Sequence, residues 1–87
     1  MGKHYVYIVR CKDHSLYTGY TTNLDERVKA HSRGEGAKYT KGRGPVILVY
    51  HEVYDDKSTA MKREYEIKRW TKSKKEKFII TVGGEDV

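Results

Sequence analysis

The segment from His4 to Thr21 sets the architecture: His-Tyr-Val-Tyr-Ile-Val-Arg-Cys (4–11), Lys-Asp-His-Ser (12–15), Leu-Tyr-Thr-Gly-Tyr-Thr (16–21). Its first block alternates. Tyr5, Tyr7, Val9 and Cys11 point one way, Val6, Ile8 and Arg10 the other, which is the period of a β-strand. Lys12–Ser15 reads as a turn. Leu16–Thr21 then forms a second strand, and so short a connection makes the pair an antiparallel hairpin. Gly19, inside the second strand, marks a bulge or a close approach by another group.

Working outward, Thr22 or Asn23 can cap a helix over Leu24–Ser32, with Asp25 and Glu26 near its positive end. Gly34 and Gly36 end it. Ala37–Gly44 is a connector rich in Gly, Lys and Arg, with room for a short helix. Pro45 introduces Val46–Val53, an apolar run that reads as a buried strand. Ser58 is the expected cap of a helix from Thr59 to about Trp70. Ser73 is the expected cap of a last helix, Lys74 to roughly Thr81, returning Phe78, Ile79 and Val82 to the core. The expected fold is α/β of the α+β type, in the order β-β-α-(α)-β-α-α. It has a small three-stranded, mainly antiparallel sheet flanked by helices. Residues 1–82 are read as one domain and 83–87 as a flexible tail.

With 87 residues the chain suits one small core and no large enclosed cavity. Hydrophobic residues make up 37% and charged residues 34%, so aromatic rings must supply much of the core. Eight of those are Tyr and one is Phe, and each phenol needs a partner for its hydroxyl. Cys11 is the only cysteine. It allows no internal disulfide and no cysteine-based zinc site. His4, His14, His31 and His51 lack metal-ligand spacing. The N-terminus is too polar for a signal peptide, and Val46–Tyr50 is too short to span a bilayer. These features point to the cytoplasm and away from membranes.

The net charge of +6 is localised. Lys57–Lys77 holds nine Lys or Arg against Glu64, Glu66 and Glu76, and the rest of the chain is balanced. Such a field favours polyanions. A solvated helical face is the plainer alternative.

Two helices break their own pattern. At about 100° per residue, Ala60, Met61, Glu64 and Ile67 share one arc, which puts a carboxylate on a core-facing stripe. It must pair, with Lys68 one turn on, or bind a cation. In the first helix Arg27 and His31 are one turn apart and face one spot together. Arg suits phosphate because its planar fork donates two hydrogen bonds at once.

Taken in order, these residues resemble the GIY-YIG nuclease superfamily. Tyr5-Val6-Tyr7, followed by Ile8-Val9, resembles its GIY element. Tyr17-Thr18-Gly19 resembles its YIG element. Leu24-x-x-Arg27-x-x-x-His31 is similar to its first helix, and Ala60-Met61-x-x-Glu64-x-x-Ile67-Lys68 to the helix that carries its metal-binding glutamate. Lys38-Tyr39-Thr40 and Gly42-Arg43-Gly44-Pro45 resemble the small stand-alone bacterial members. Tyr5 replaces the Gly of GIY, and Thr18 the Ile of YIG. No separate DNA-binding domain is visible.

The resemblance implies an endonuclease that hydrolyses nucleic-acid phosphodiester bonds, in DNA repair or recombination. It implies one Mg²⁺ (or Mn²⁺) on Glu64, with phosphate and water in the open positions. Arg27 would stabilise charge on phosphate. Tyr17 is the preferred general base and Tyr7 the second candidate. An ordinary tyrosine titrates near 10, so either needs nearby positive charge. His31 and Tyr39 are phosphate or proton-transfer contacts. Lys38, Tyr39, Arg43, Lys62, Arg63, Lys68, Arg69 and Lys72 form the expected nucleic-acid surface, which reads phosphate rather than sequence. Trp70 packs. The expected partner is nucleic acid, DNA first, acting on a monomer, with a protein partner supplying specificity. Two other readings are a non-catalytic DNA- or RNA-binding module and a domain whose basic face meets an acidic protein. Tyr7, Tyr17, Arg27 and Glu64 are expected to converge on one concavity.

Overall fold

The computed structural model describes residues 2–36, 42 and 44–83. Three strands, β1 (His4–Arg10), β2 (Leu16–Thr21) and β3 (Ile47–Tyr54), form one antiparallel sheet in the order β2-β1-β3. Three helices complete the fold: α1 (Leu24–Ser32), α2 (Lys57–Lys68) and α3 (Lys72–Gly83). The α+β class and element order agree with the sequence reading. The short helix allowed between Ala37 and Gly44 falls largely outside the described residues.

Alternation in β1 creates two core layers. Val6 and Ile8 pack with Leu16, Ala60 and Ile67, joined by Trp70 and Ile79 from the helical side. Tyr7, Val9 and Cys11 pack with Val46, joined by Leu24 and Val28 of α1. Helix α1 therefore covers one face of the sheet, and α2 with α3 the other. Each buried aliphatic side chain contributes roughly 1.5–3 kcal/mol, and β1, buried on both faces, contributes most of them.

Local chemistry fixes the joints. The hairpin closes through Cys11 N–H to the Ser15 carbonyl at 2.8 Å. Asp13 accepts from the Ser15 N–H at 3.1 Å. Asn23 caps α1, accepting the Glu26 N–H at 3.2 Å. At the other end Glu35 N–H reaches the Ala30 carbonyl and Gly34 N–H the His31 carbonyl. This is a Schellman ending, with Gly34 at φ +80° where a side chain would be strained.

Four expectations change. The cap of α2 is Asp56, which accepts from Thr59 N–H at 2.7 Å and its hydroxyl at 2.8 Å. Ser58 lies inside the first turn, because the acid two residues earlier already satisfies an N-terminal donor. Likewise Thr71, not Ser73, accepts from the first turn of α3, at Lys74 N–H, and α3 runs through Gly83. Strand β3 is an edge strand rather than a buried one, and Ile47 is 65% exposed. Met61 and Val82 are also exposed. Met61 sits one residue, about 100°, off the row that Ala60 and Ile67 define, and so flanks the core instead of entering it.

Candidate active site

Gly19 is where the site begins. It is the register partner of Tyr7, and a Cβ there would lie 2.4 Å from the Tyr7 hydroxyl. The close approach inferred from sequence is therefore the Tyr7 ring lying across β2. The one register irregularity in the sheet falls between β1 and β3, at Ile8/Val9. Tyr17, two residues before Gly19 on the same face of β2, brings its ring centre to 6.5 Å from that of Tyr7.

From α1, His31 is fully buried against both tyrosines, its ring centre 5.7 Å from Tyr7 and 5.2 Å from Tyr17. Its Nε2 is 2.7 Å from the Tyr7 hydroxyl. Gly36 leaves room for this ring, since a Cβ there would stand 2.3 Å from His31 Nδ1. Burial pushes the His31 imidazole down, and the nearby Arg27 charge pushes the same way. Burial pushes the Tyr7 phenol up, while Arg27 opposes by hydrogen bonding and charge. The charges of Tyr17 and Glu64 add to the rise. Both shifts favour the neutral forms, so the bond joins an uncharged imidazole to an uncharged phenol.

Glu64 comes from α2, on the other face of the sheet. Its carboxylate is 14% exposed and pairs with Lys68 at 3.1 Å. The Lys68 ammonium also lies 6.0 Å from the centre of the Tyr17 ring. Groups from the two faces thus meet beside edge strand β2. Neither of two clefts of about 350 Å³ is lined by them. One is bounded by Tyr5, Asn23 and His51, the other by Tyr65, Arg69 and Trp70.

A family model described as the GIY-YIG catalytic domain matches residues 3–77. The chain belongs to the GIY-YIG family. A UPF0213 protein of Staphylococcus haemolyticus is 62% identical over 79 residues, covering 91% of this chain and 96% of the relative. One of Staphylococcus saprophyticus is 60% identical over the same shares. The solution NMR structure of a UPF0213 protein from Bacillus halodurans superposes with TM-score 0.63 at 52% identity, covering 94% of this chain and 87% of that one. A second NMR structure, of a protein from E. faecalis, gives 0.62 at 38% identity, covering 94% and 88%. These relatives are small GIY-YIG proteins, and the family is a nuclease superfamily whose substrate is nucleic acid. The UPF0213 name assigns no specific activity.

In this GIY-YIG domain the rings of Tyr7, Tyr17 and His31 meet, Arg27 adjoins Tyr7, and Glu64 is linked to Tyr17 from the other face through Lys68. The expected nucleic-acid residues are dispersed. Lys68 stands at the site. Lys62, Arg69 and Lys72 are exposed on α2, its C-terminal end and the start of α3. Arg69 rests over the Tyr65 ring at 5.7 Å, and Lys72 approaches Glu76 at 3.8 Å. Arg63 is instead locked to β3: its Nε and Nη2 donate to Glu52, both at 2.9 Å, and its guanidinium lies over Trp70 at 5.3 Å. Lys38, Tyr39 and Arg43 lie outside the described residues.

Among the described residues no group of three or more His, Cys, Asp or Glu is placed to hold a metal. The donor set at the site is one carboxylate beside two phenols. That suits a hard cation that keeps most of its water and takes further oxygens from a phosphate. No described helix is long and apolar enough to cross a membrane.

Two features escaped the sequence reading. The Tyr7–His31 bond joins residues 24 apart and leaves no periodic trace. Lys75, buried in α3, did leave one. Lys75, Phe78, Ile79 and Val82 follow the same i, i+3, i+4, i+7 spacing that made Glu64 conspicuous in α2.

Proposed function

We propose that this chain is a divalent-metal-dependent endonuclease that hydrolyses phosphodiester bonds, with DNA as substrate. What supports this reading is one observation: two phenols, a guanidinium, a neutral imidazole and a single carboxylate, drawn from four elements, meet beside edge strand β2. A purely structural core has no use for that set.

Hydrolysis joins a water oxygen to phosphorus, breaks the P–O bond to one sugar, moves a proton from the attacking water to a base, and gives the departing sugar oxygen a proton from solvent. Glu64 would hold Mg²⁺ or Mn²⁺, which when bound supplies positive charge to the phosphate and acidity to water. Arg27 donates to the non-bridging oxygens as charge builds there. Tyr17, with the Lys68 ammonium near its ring, is the base we assign. Tyr7 keeps its proton, and His31 and Arg27 fix the place of its hydroxyl beside the phosphate. Lys62, Lys68, Arg69 and Lys72, with Lys38, Tyr39 and Arg43, form the phosphate-reading surface. Its sequence-blind character calls for a protein partner to direct a monomer to its site, in cytoplasmic repair or recombination.

The Lys68–Glu64 ion pair favours a second reading, a DNA- or RNA-binding module in which Lys68 permanently satisfies the carboxylate. One experiment separates the two. Nicking is followed on duplex, flap, junction and single-stranded DNA, with and without Mg²⁺, for the wild type and Glu64→Ala. The nuclease reading expects Mg²⁺-dependent cleavage that the variant loses, with DNA affinity unchanged or slightly raised, since an anion near phosphate has been removed. Binding without cleavage of any substrate, or equal cleavage by the variant, would sink it. Thermal melts must show both proteins folded.

A further inference from the structure

Helix α2 carries a second chemical face, one residue round from Glu64. Met61, Tyr65 and Arg69 follow one another at i, i+4 and i+8, beside the row of Glu64 and Lys68. Met61 is 40% exposed and Tyr65 64%, so this row stands largely open. Tyr65, Glu66, Arg69 and Trp70 bound the second of the two clefts. Cations stand against both of its rings. The Arg69 guanidinium, at the end of α2, is 5.7 Å from the centre of the Tyr65 ring. The Lys74 ammonium, from the first turn of α3, is 4.5 Å from that of Trp70. Neither Arg69 nor Lys74 forms an ion pair with a carboxylate among the described residues. The one acid in the lining, Glu66, is held by Arg63 at 3.1 Å.

We propose that this cleft seats an unpaired base of the nucleic-acid strand, stacked on Tyr65, with Arg69 and Lys74 taking neighbouring phosphates. This rests on the nucleic-acid reading above and gives it a further binding site. Rings interleaved with cations are the chemistry that grips such a strand, because bases stack on the rings and phosphates meet the charges. An acidic peptide would use the cations and leave the rings idle. A base held in a duplex reaches the ring only by leaving its stack. Tyr65 follows Glu64 directly in α2, so the seat and the carboxylate are about one helix diameter apart, 10–12 Å. One strand can cross both.

Trp70 is the only tryptophan, so its emission reports on the cleft. Three ligands are compared in EDTA: a single-stranded oligothymidylate, the same strand with abasic positions, and a blunt duplex. Binding is followed by anisotropy of labelled strands over a salt series, and by Trp70 emission with unlabelled ones. Tyr65→Leu should bind the intact strand about tenfold more weakly, with an unchanged log–log salt slope, since no charge is lost. Its melting temperature should stay near that of wild type, because the side chain is exposed. Tyr65→Phe keeps the ring and should bind as wild type does. The intact strand should quench Trp70 emission, and the abasic strand should bind wild type as weakly as the intact strand binds Tyr65→Leu. If Tyr65→Leu fails to fold, the abasic strand on wild type carries the same comparison. Equal binding of intact and abasic strands, or a folded Tyr65→Leu that binds as wild type does, overturns the base seat and leaves phosphate contacts alone. A polyglutamate peptide that quenches Trp70 more strongly than the strand makes the cleft an acidic-peptide site and overturns it too. A wild type that binds no nucleic acid sinks this proposal and the nuclease reading together. If wild type never cleaves but Tyr65→Leu binds the intact strand weakly, the base seat stands and the nuclease reading falls.

Discussion

Two neighbouring residues of β2 carry opposite consequences. Thr18 is 2% exposed and its hydroxyl is a buried polar atom without a hydrogen-bond partner among the described residues. Thr18→Val keeps the shape and removes the orphaned group, so it should stabilise by about 1 kcal/mol and raise the melting temperature by roughly 5 °C. A lower melting temperature would show that the hydroxyl has a partner. Gly19→Ala goes the other way. The new Cβ meets the Tyr7 hydroxyl at 2.4 Å and its Cζ at 2.5 Å, and Tyr7, itself buried, has nowhere to retreat. The strain should cost about 1–3 kcal/mol and break the Tyr7–His31 bond. Cleavage should then fall further than DNA affinity, and a variant with full activity would refute the role given to Tyr7. The sequence already marked Gly19 as out of place in a strand, so its close contact was legible. The identity of the contacting group was not, because register between strands is a tertiary fact.

Strand β3 is held to the helical layer by a polar network as well as by the packing of Val49, Tyr50 and Tyr54. Tyr50, Glu52 and Tyr54 alternate along one side of the strand. Both phenols donate to the Glu52 carboxylate, and Arg63 of α2 binds it through two nitrogens. Burial alone would raise the Glu52 carboxyl, but hydrogen bonds from Arg63, Tyr50 and Tyr54 outweigh it and leave it below its ordinary 4.5. Burial and the Glu52 carboxylate push the Tyr54 phenol up to about 12. A lowered carboxyl contributes stability that is complete above its unfolded pKa and is lost as pH falls through the folded one. Melting temperature should therefore drop below about pH 4.5, and Glu52→Gln should flatten that part of the profile. Glu52→Ala, which strands Arg63 and two phenols, should cost about 2–3 kcal/mol at neutral pH. A wild-type profile identical to that of Glu52→Gln would remove the carboxyl from the account. Sequence patterning took Val46–Val53 for a buried strand because apolar runs look alike at an edge and at a centre. Nothing in the pattern of α2 shows that Glu52 of β3 meets Arg63.

Charge, open architecture and the division of labour among basic residues combine at the level of the molecule. With a radius of gyration of 12.5 Å and core layers on both faces of a three-stranded sheet, the chain offers a polyanion a surface and not a tunnel. Its positive excess, +6 overall, lies in the helical segment that also supplies Glu64. Attraction to DNA should then come from counterion release, and affinity should fall steeply with salt. The fold sharpens this, because sequence position alone counted Arg63 with the other cations. Lys62, Arg69 and Lys72 keep exposed side chains and can meet phosphates at little cost. Arg63 cannot: leaving Glu52 would strand a carboxylate whose side chain is 15% exposed. Replacing Lys62, Arg69 or Lys72 singly by Ala should make the log–log salt slope shallower by up to about one each, with melting temperature nearly unchanged. Arg63→Ala should leave the slope as in wild type while lowering stability by about 2–3 kcal/mol. The two measurements, anisotropy over a salt series and thermal melting, must move in opposite pairs for this to hold. An Arg63→Ala protein that melts normally but binds with a shallower slope would return Arg63 to the nucleic-acid surface and make its pairing with Glu52 a resting state that phosphate displaces.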